Sequence, residues 1–180
     1  MTNYKYLIIG GGMTAAAAVD GIREVDSAGS IGLISQEPDA PYDRPPLSKT
    51  LWKGKTEDSV WRKLDDKQVK LHLGCTVKKI SPEPKRVTTD TDEVFTYEKL
   101  LLATGGRPRR LPFGDKQIIY FRTLADYRRL HALTETGRRV AVIGGGFIGS
   151  EIAAALNQNG KEVGMLFPDQ NSGGRVFPRE

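Results

Sequence analysis

The chain has 180 residues, a formal net charge of +5, and 38% hydrophobic against 27% charged residues. This length and composition suit one domain or one and a half, with an apolar core and a solvated surface. The basic residues are scattered rather than interleaved with aromatic ones, which disfavours nucleic-acid binding. The modest positive charge suits an anionic cofactor or an acidic protein partner.

Cys75 is the only cysteine, which excludes an intramolecular disulfide, a CxxC pair and a thiolate metal site within the chain. We expect this thiol to be a small packed residue after a strand. No stretch has the charged and apolar parts of a signal peptide, and no apolar run is long enough to cross a membrane. The sequence therefore predicts a cytoplasmic protein.

The hydrophobic patterns predict alternating strands and helices along the chain. One βαβ unit near the C-terminus cannot cover its own sheet, so we expect the chain to be part of a longer protein. Strands are predicted at residues 4–9, 31–35, 69–73, 99–103, 140–143 and 162–167, helices at 13–25, 47–52, 61–67, 123–136 and 147–159, and a small antiparallel excursion at 76–80, 86–89 and 94–97.

A glycine cluster joins the first predicted strand to the first predicted helix. In it, Gly10, Gly12 and Ala15 match the G-x-G-x-x-G/A dinucleotide fingerprint. The first position allows a sharp turn, the second lets a pyrophosphate approach the backbone, and the third lets the helix pack closely on the strand. The alternative is a strand-to-helix turn that binds no ligand.

A second match favours ligand binding over that alternative. Gly144, Gly146 and Gly149 also follow an apolar run and precede a helical pattern. The strand predicted at residues 31–35 follows the first fingerprint at βαβ distance and ends near Glu37, where an acid can bind a ribose hydroxyl. The sequence therefore predicts two dinucleotide sites in an α/β protein.

A proline-rich segment at residues 41–49 reads Pro-Tyr-Asp-Arg-Pro-Pro-Leu-Ser-Lys. Its prolines make the backbone stiff and extended. A rigid segment that carries Arg44 and Lys49 beside a predicted cofactor suggests a positioned pair of cations. A surface turn with two solvated charges explains the same residues equally well, and the segment alone does not decide between them.

These segments together resemble the FAD- and NAD(P)H-dependent reductases of the pyridine nucleotide-disulfide oxidoreductase fold. Within that family the chain is most similar to the branch of apoptosis-inducing factor and the ferredoxin or rubredoxin reductases, and it looks like their N-terminal part. The resemblance covers all 180 residues, and Arg-Pro-Pro-Leu-Ser-Lys is its most specific string. It rests on five segments in the same order, at residues 9–12, 41–49, 103–106, 144–151 and 166–169.

The resemblance implies an α/β fold with two Rossmann-like domains of the glutathione-reductase type. The FAD-binding domain would occupy residues 1–112 and contain the small antiparallel excursion, and an incomplete NAD(P)H-binding domain would occupy residues 113–180. FAD would be held by Gly10, Gly12, Ala15, Glu37, Val77, Thr104 and Gly105, with Arg44 and Lys49 approaching the flavin. NAD(P)H would be held by Gly144, Gly146, Gly149 and Asp169.

Two further implications concern charge. An acid at Asp169 would repel a 2′-phosphate and so favours NADH over NADPH, although Arg175 nearby keeps NADPH open. Lys49 would pair with Glu151 near the flavin, where a cation stabilises negative charge on the reduced ring. The alternative for Glu151 is an exposed acid in the first turn of a helix.

The implied activity is FAD-dependent oxidation of NADH, with electrons passed to an external acceptor such as a ferredoxin- or rubredoxin-type iron–sulfur protein. Disulfide reductases of this fold carry a reactive cysteine pair, so the single cysteine argues against that subclass. The alternative is a redox-sensing interaction protein, similar to apoptosis-inducing factor, that oxidises NADH slowly. A C-terminal remainder of the same protein would complete both domains, and a homodimer stays open.

Overall fold

The computed structural model describes residues 1–114 and 117–168. The chain divides into two compact units. The first unit comprises Met1–Asp43 and Val60–Gly106, and the second comprises Arg44–Ser59 together with the described residues from Arg107 onward. Both units combine helices with parallel strands, so the predicted α/β class is confirmed.

The first unit is built on a six-stranded sheet. The strands are β1 (Thr2–Ile9), β2 (Ile31–Ile34), β3 (Val69–His72), β4 (Val77–Ser81), β5 (Arg86–Thr89) and β6 (Val94–Leu102). Their order in the sheet is β3-β2-β1-β6-β5-β4. The first four strands in that order run parallel, and β5 and β4 continue the sheet antiparallel.

Helix α1 (Met13–Val25) connects β1 to β2 and covers the parallel part of this sheet. Its buried residues are small, namely Ala15, Ala16 and Val19, so the helix axis can lie close to the strands. Strand β2 is buried along its whole length, as expected for a parallel strand in the middle of a sheet. The bounds predicted for α1 from the sequence are confirmed.

Strand β6 corrects the prediction of two separate strands at residues 94–97 and 99–103. It is one continuous strand that pairs in parallel with β1 from Phe95 to Leu102, while its first residues also pair antiparallel with β5. The exposed Glu98 between the two predicted strands does not interrupt the ladder with β1. The small antiparallel excursion is therefore an extension of the main sheet.

The helix predicted at residues 61–67 is also wrong. Trp61 instead forms an isolated antiparallel bridge with Tyr42, and their rings meet edge to face at 6.1 Å between centroids. Short 3₁₀ turns at Glu57–Val60 and Asp65–Lys67 lie on either side. Backbone pairing with the distant Tyr42 has therefore overridden the local helical pattern.

The second unit contains α2 (Leu124–Thr136), β7 (Arg139–Ile143), α3 (Phe147–Gln158) and β8 (Glu162–Leu166). Strands β7 and β8 pair in parallel, and α3 is the crossover between them. Thr123 and Asp126 form a reciprocal capping box at the start of α2. Each of these elements was predicted to within one residue at either end. No helix in the described parts of the chain has the length and apolar character needed to cross a membrane.

Candidate functional site

The first glycine turn lies at the carboxyl end of β1. Gly10 has a φ of +121°, and its N–H donates to the carbonyl oxygen of Ile34 at 2.8 Å. A side chain at this position would collide with the carbonyl oxygen of Ala103, which directly follows β6. Glycine is therefore required here both by the backbone angle and by the close approach of two strand ends.

Gly12 is the N-cap residue of α1, and its surroundings fit a pyrophosphate. A Cβ added at Gly12 would meet nothing within 4 Å among the described residues. In the same part of the chain no side chain caps the helix, and its first turn carries no acid. The N–H groups and the positive end of the helix dipole are thus available to an anion. The fully buried Ala15 fits the third fingerprint position.

The other FAD-site candidates of the first unit lie near strand ends. Thr104 and Gly105 are exposed just after β6, next to the Gly10 turn. Glu37 follows β2, and its Oε2 accepts a hydrogen bond from the Tyr42 hydroxyl. Val77 begins β4, which β6 and β5 separate from β1 in the sheet. Gly10 and Thr104 are thus brought together, and the N–H of Gly74, three residues before Val77, donates to the carbonyl oxygen of Glu37 at 3.1 Å.

The second glycine turn repeats the geometry of the first. Gly144 has a φ of +113°, and its N–H donates to the carbonyl oxygen of Leu166 at 2.8 Å. Gly146 is the N-cap of α3, with open space where its Cβ would be and neither a capping side chain nor a first-turn acid among the described residues. A side chain at Gly149 would collide with the Gly144 carbonyl oxygen. This turn also fits a pyrophosphate. Asp169 lies outside the described residues.

Lys49 lies between two 3₁₀ turns, Pro45–Ser48 and Thr50–Lys53, which replace the short helix predicted at residues 47–52. Its Nζ lies 2.8 Å from Oε2 of Glu151 on α3. The predicted contact between these two residues is therefore present in the structure. The side chains are 48% and 29% exposed, so the pair remains accessible to a ligand.

Ser48 is a third member of this cluster that the sequence reasoning missed. Its hydroxyl donates to the same Oε2 of Glu151 at 2.6 Å. The ammonium of Lys49, and next the hydroxyl of Ser48, hold the pKa of the Glu151 carboxyl below its ordinary value. The sequence shows Ser48 beside Lys49 in the Arg-Pro-Pro-Leu-Ser-Lys string, but it does not indicate where the serine hydroxyl points.

The Arg44–Ser59 segment carries Ser48 and Lys49 and is fixed to α3 through Trp52. This indole is buried, and its Nε1 donates to the carbonyl oxygen of Leu47 at 2.8 Å. The carbonyl oxygen of Trp52 accepts a hydrogen bond from Nδ2 of Asn159, at the C-cap of α3, at 3.0 Å. The segment is therefore attached to α3 at Glu151 in its second turn and at Asn159 at its C-cap.

Contacts with α2 and with the residues just before it hold the other side of the Arg44–Ser59 segment. The Trp52 ring meets that of Tyr127 edge to face, with 5.4 Å between centroids. Arg128 pairs with Glu57 at 2.7 Å, and Nη1 of Arg44 donates to the carbonyl oxygen of Arg122 at 2.9 Å. Lys49 therefore projects from a segment that is tied to two helices.

Comparison with known proteins identifies the family. The model of the pyridine nucleotide-disulphide oxidoreductase family matches residues 4–178. The chain belongs to this family. The crystal structure of a covalent putidaredoxin reductase–putidaredoxin complex contains a chain with the same fold, with a TM-score of 0.88 and 29% identity over 99% of this chain and 45% of that one.

Two curated proteins are similar to nearly the whole of this chain. The ferredoxin–NAD(+) reductase component of the anthranilate 1,2-dioxygenase system of Burkholderia cepacia is 38% identical over 99% of this chain and 46% of its own. Apoptosis-inducing factor 1, mitochondrial, of Dictyostelium discoideum is 34% identical over 97% of this chain and 38% of its own. The chain thus spans less than half the length of these relatives.

Proposed function

We propose that the protein is an FAD-dependent oxidoreductase that accepts a hydride from NADH and passes electrons to an iron–sulfur acceptor of the ferredoxin or rubredoxin type. The observation that carries this proposal is the Lys49–Glu151 pair at 2.8 Å, in a chain whose two glycine turns both fit a dinucleotide pyrophosphate. The relative named as a ferredoxin–NAD(+) reductase component supports it. The single cysteine argues against a dithiol reductase.

The chain's own residues would contribute binding and charge. FAD, when bound, supplies the ability to accept a hydride and release single electrons. Gly10, Gly12 and Ala15 would hold its pyrophosphate through the turn and the N-terminus of α1. Further FAD contacts would come from Glu37, Val77, Thr104, Gly105 and Arg44.

Lys49 would supply a positive charge beside the flavin, and Glu151 would hold that charge in place. A fixed cation lowers the energy of a neighbouring group that gains negative charge, and it needs no rearrangement to do so. Glu151 stays ionised at neutral pH because its carboxyl pKa is below the ordinary value. The Glu151 carboxylate therefore remains an anionic partner for Lys49 under the conditions in which NADH would react.

NADH would bind at the second turn through Gly144, Gly146 and Gly149. We propose NADH rather than NADPH because an acid at position 169 disfavours a 2′-phosphate. In this proposal residues 1–112 serve as the FAD-binding domain and residues 113–180 as the incomplete NAD(P)H-binding domain, in a cytoplasmic protein with a further C-terminal part.

An anaerobic absorbance experiment tests the proposal. The flavin bands of the purified protein should bleach when NADH is added, and less readily with NADPH. Gly146→Glu is the matched control, because the position has space for a side chain but a carboxylate there would repel the pyrophosphate. That variant should keep its flavin and lose the bleaching. A bound flavin that stays oxidised in NADH would refute the reductase function.

The similarity to apoptosis-inducing factor of Dictyostelium discoideum supports a second candidate, a redox-sensing interaction protein. In that case NADH would be oxidised slowly and would change the oligomeric state. Sedimentation velocity with and without NADH distinguishes the two functions. Rapid turnover with a ferredoxin and an unchanged sedimentation coefficient would eliminate this second candidate.

A further inference from the structure

Two donors from adjacent residues converge on one oxygen of Glu151. The Ser48 hydroxyl lies 2.6 Å from Oε2, and the Lys49 ammonium lies 2.8 Å from the same atom. The described contacts of this carboxylate thus fall on Oε2. The position of Oε2 is therefore determined by the donor, Ser48 or Lys49, whose own position is the more restricted.

Ser48 is the more firmly held of the two donors. It is 4% exposed, on a 3₁₀ turn that starts with Pro45 and Pro46, whereas the Lys49 side chain is 48% exposed on a flexible stem. An exposed ion pair by itself restrains its partners weakly. A short hydrogen bond from a buried hydroxyl to a carboxylate is stronger and more directional.

The direction of the Ser48 hydroxyl is also determined. A serine has one proton to donate, and its other described acceptor, the carbonyl oxygen of Pro45, is 3.5 Å away. The bond to Glu151 is shorter by 0.9 Å than that contact (3.5 Å against 2.6 Å) and engages a charged acceptor. The proton therefore belongs to the bond with Glu151.

We propose that Ser48 is a positioning residue, whose hydroxyl fixes Oε2 of Glu151 and thereby fixes where the Lys49 ammonium stands. This inference rests on the proposed function in one respect, namely that the Lys49–Glu151 pair acts on bound flavin. The geometry of the three side chains is a property of the second unit alone. It can be tested without cofactor.

The first test is a carbon-13 NMR titration of the Glu151 carboxyl in the wild-type chain, in Ser48→Ala and in Ser59→Ala. Ser59 is the matched control because its exposed hydroxyl donates to Thr56 of its own turn. Ser48→Ala should raise the pKa of Glu151 towards its ordinary value, and Ser59→Ala should leave it unchanged. An unaltered pKa in a folded Ser48→Ala protein would overturn the proposal.

A second titration separates direct from indirect action. In a Lys49→Met background, Ser48→Ala should still raise the pKa of Glu151, because the hydroxyl acts on the carboxylate itself. If the effect disappears in that background, Ser48 acts only through the lysine and the proposal is wrong. Backbone amide spectra of each variant establish that the fold is intact.

Flavin reduction provides a separate readout. With saturating NADH, Ser48→Ala should slow reduction about tenfold, the effect expected from losing one hydrogen bond to a charged group, with little change in the half-saturating NADH concentration. An unchanged reduction rate would overturn the positioning role. If wild-type protein shows no reduction by NADH, the proposed function fails while the NMR result for Ser48 still stands.

Discussion

Asn159 and Trp52, which are 107 positions apart, are joined by a hydrogen bond of 3.0 Å from the Asn159 amide to the Trp52 carbonyl oxygen. Glu151, eight residues earlier on α3, is bonded to Ser48 and Lys49 of the same segment. Eight helical residues span about 12 Å. Two attachment points at this separation fix both the position and the direction of the Arg44–Ser59 segment along the helix.

We predict that Asn159→Ala loosens this segment without unfolding α3. The substitution removes two hydrogen bonds, to the carbonyl oxygens of Trp52 and Ala155, and should lower the free energy of unfolding by about 2 kcal/mol. Amide hydrogen exchange should accelerate within Arg44–Ser59 while protection persists in the first turns of α3. The control is Asn157→Ala, an exposed asparagine of the same helix. Uniform acceleration across the second unit would contradict the local role assigned to Asn159.

The two glycines of the first turn should respond differently to alanine. Gly10→Ala should destabilise the protein by more than about 1 kcal/mol, because its φ is positive and its Cβ would meet the Ala103 carbonyl. Gly12→Ala should leave thermal stability nearly unchanged without cofactor, since nothing described lies within 4 Å of the added carbon. It should nevertheless weaken FAD binding by at least about tenfold, or 1.4 kcal/mol. Equal affinity for FAD in Gly12→Ala and wild type would exclude a pyrophosphate at this turn.

Glu151 should make stability depend on pH. Its folded-state pKa is lowered by Lys49 and then by Ser48, so the unfolded chain binds its proton more readily than the folded protein does. The resulting stabilisation is complete above about pH 5 and is lost as the pH falls through the folded-state pKa. Denaturation midpoints of wild type and Glu151→Gln should therefore differ at pH 7 and converge in acid. A difference that widens in acid would reverse the expected sign.

Cys75 should be unreactive in the folded protein. It is buried, and burial raises the pKa of its thiol, so little of the nucleophilic thiolate is present at pH 8. A chromogenic disulfide reagent should react slowly with native protein and release one equivalent quickly after denaturation with guanidinium. Rapid reaction of the native protein would show that the thiol is accessible.

Local patterns predicted much of the fold. The turns at Gly10–Gly12 and Gly144–Gly146 depend on a few consecutive residues, and the bounds of α1 follow from the alanines beside the first turn. Contacts between distant residues caused the errors. Strand β6 is continuous because it pairs with β1 along its length. Trp61 is not helical because its backbone forms a bridge with that of Tyr42.

In the candidate site, too, some contacts could be predicted from the sequence and others could not. The pairing of Lys49 with Glu151 was reachable through the family resemblance, because both residues belong to segments that the resemblance covers. The contact of the Ser48 hydroxyl with Glu151 could not be predicted in this way. A serine beside a lysine has no periodicity or spacing that indicates where its hydroxyl points. Only the packing of Pro45–Ser48 against α3 aims it at the carboxylate.

The grouping of Arg44–Ser59 with α2 and α3 determines how the polypeptide can be dissected. The chain passes between the two units at residues 43–44, 59–60 and 106–107. A cut at residue 106 would therefore leave the buried side chains of Leu47, Leu51 and Trp52 on one fragment and their helical partners on the other. Neither fragment would carry a complete core for the second unit, so that unit should be recovered folded only when the two fragments are expressed together.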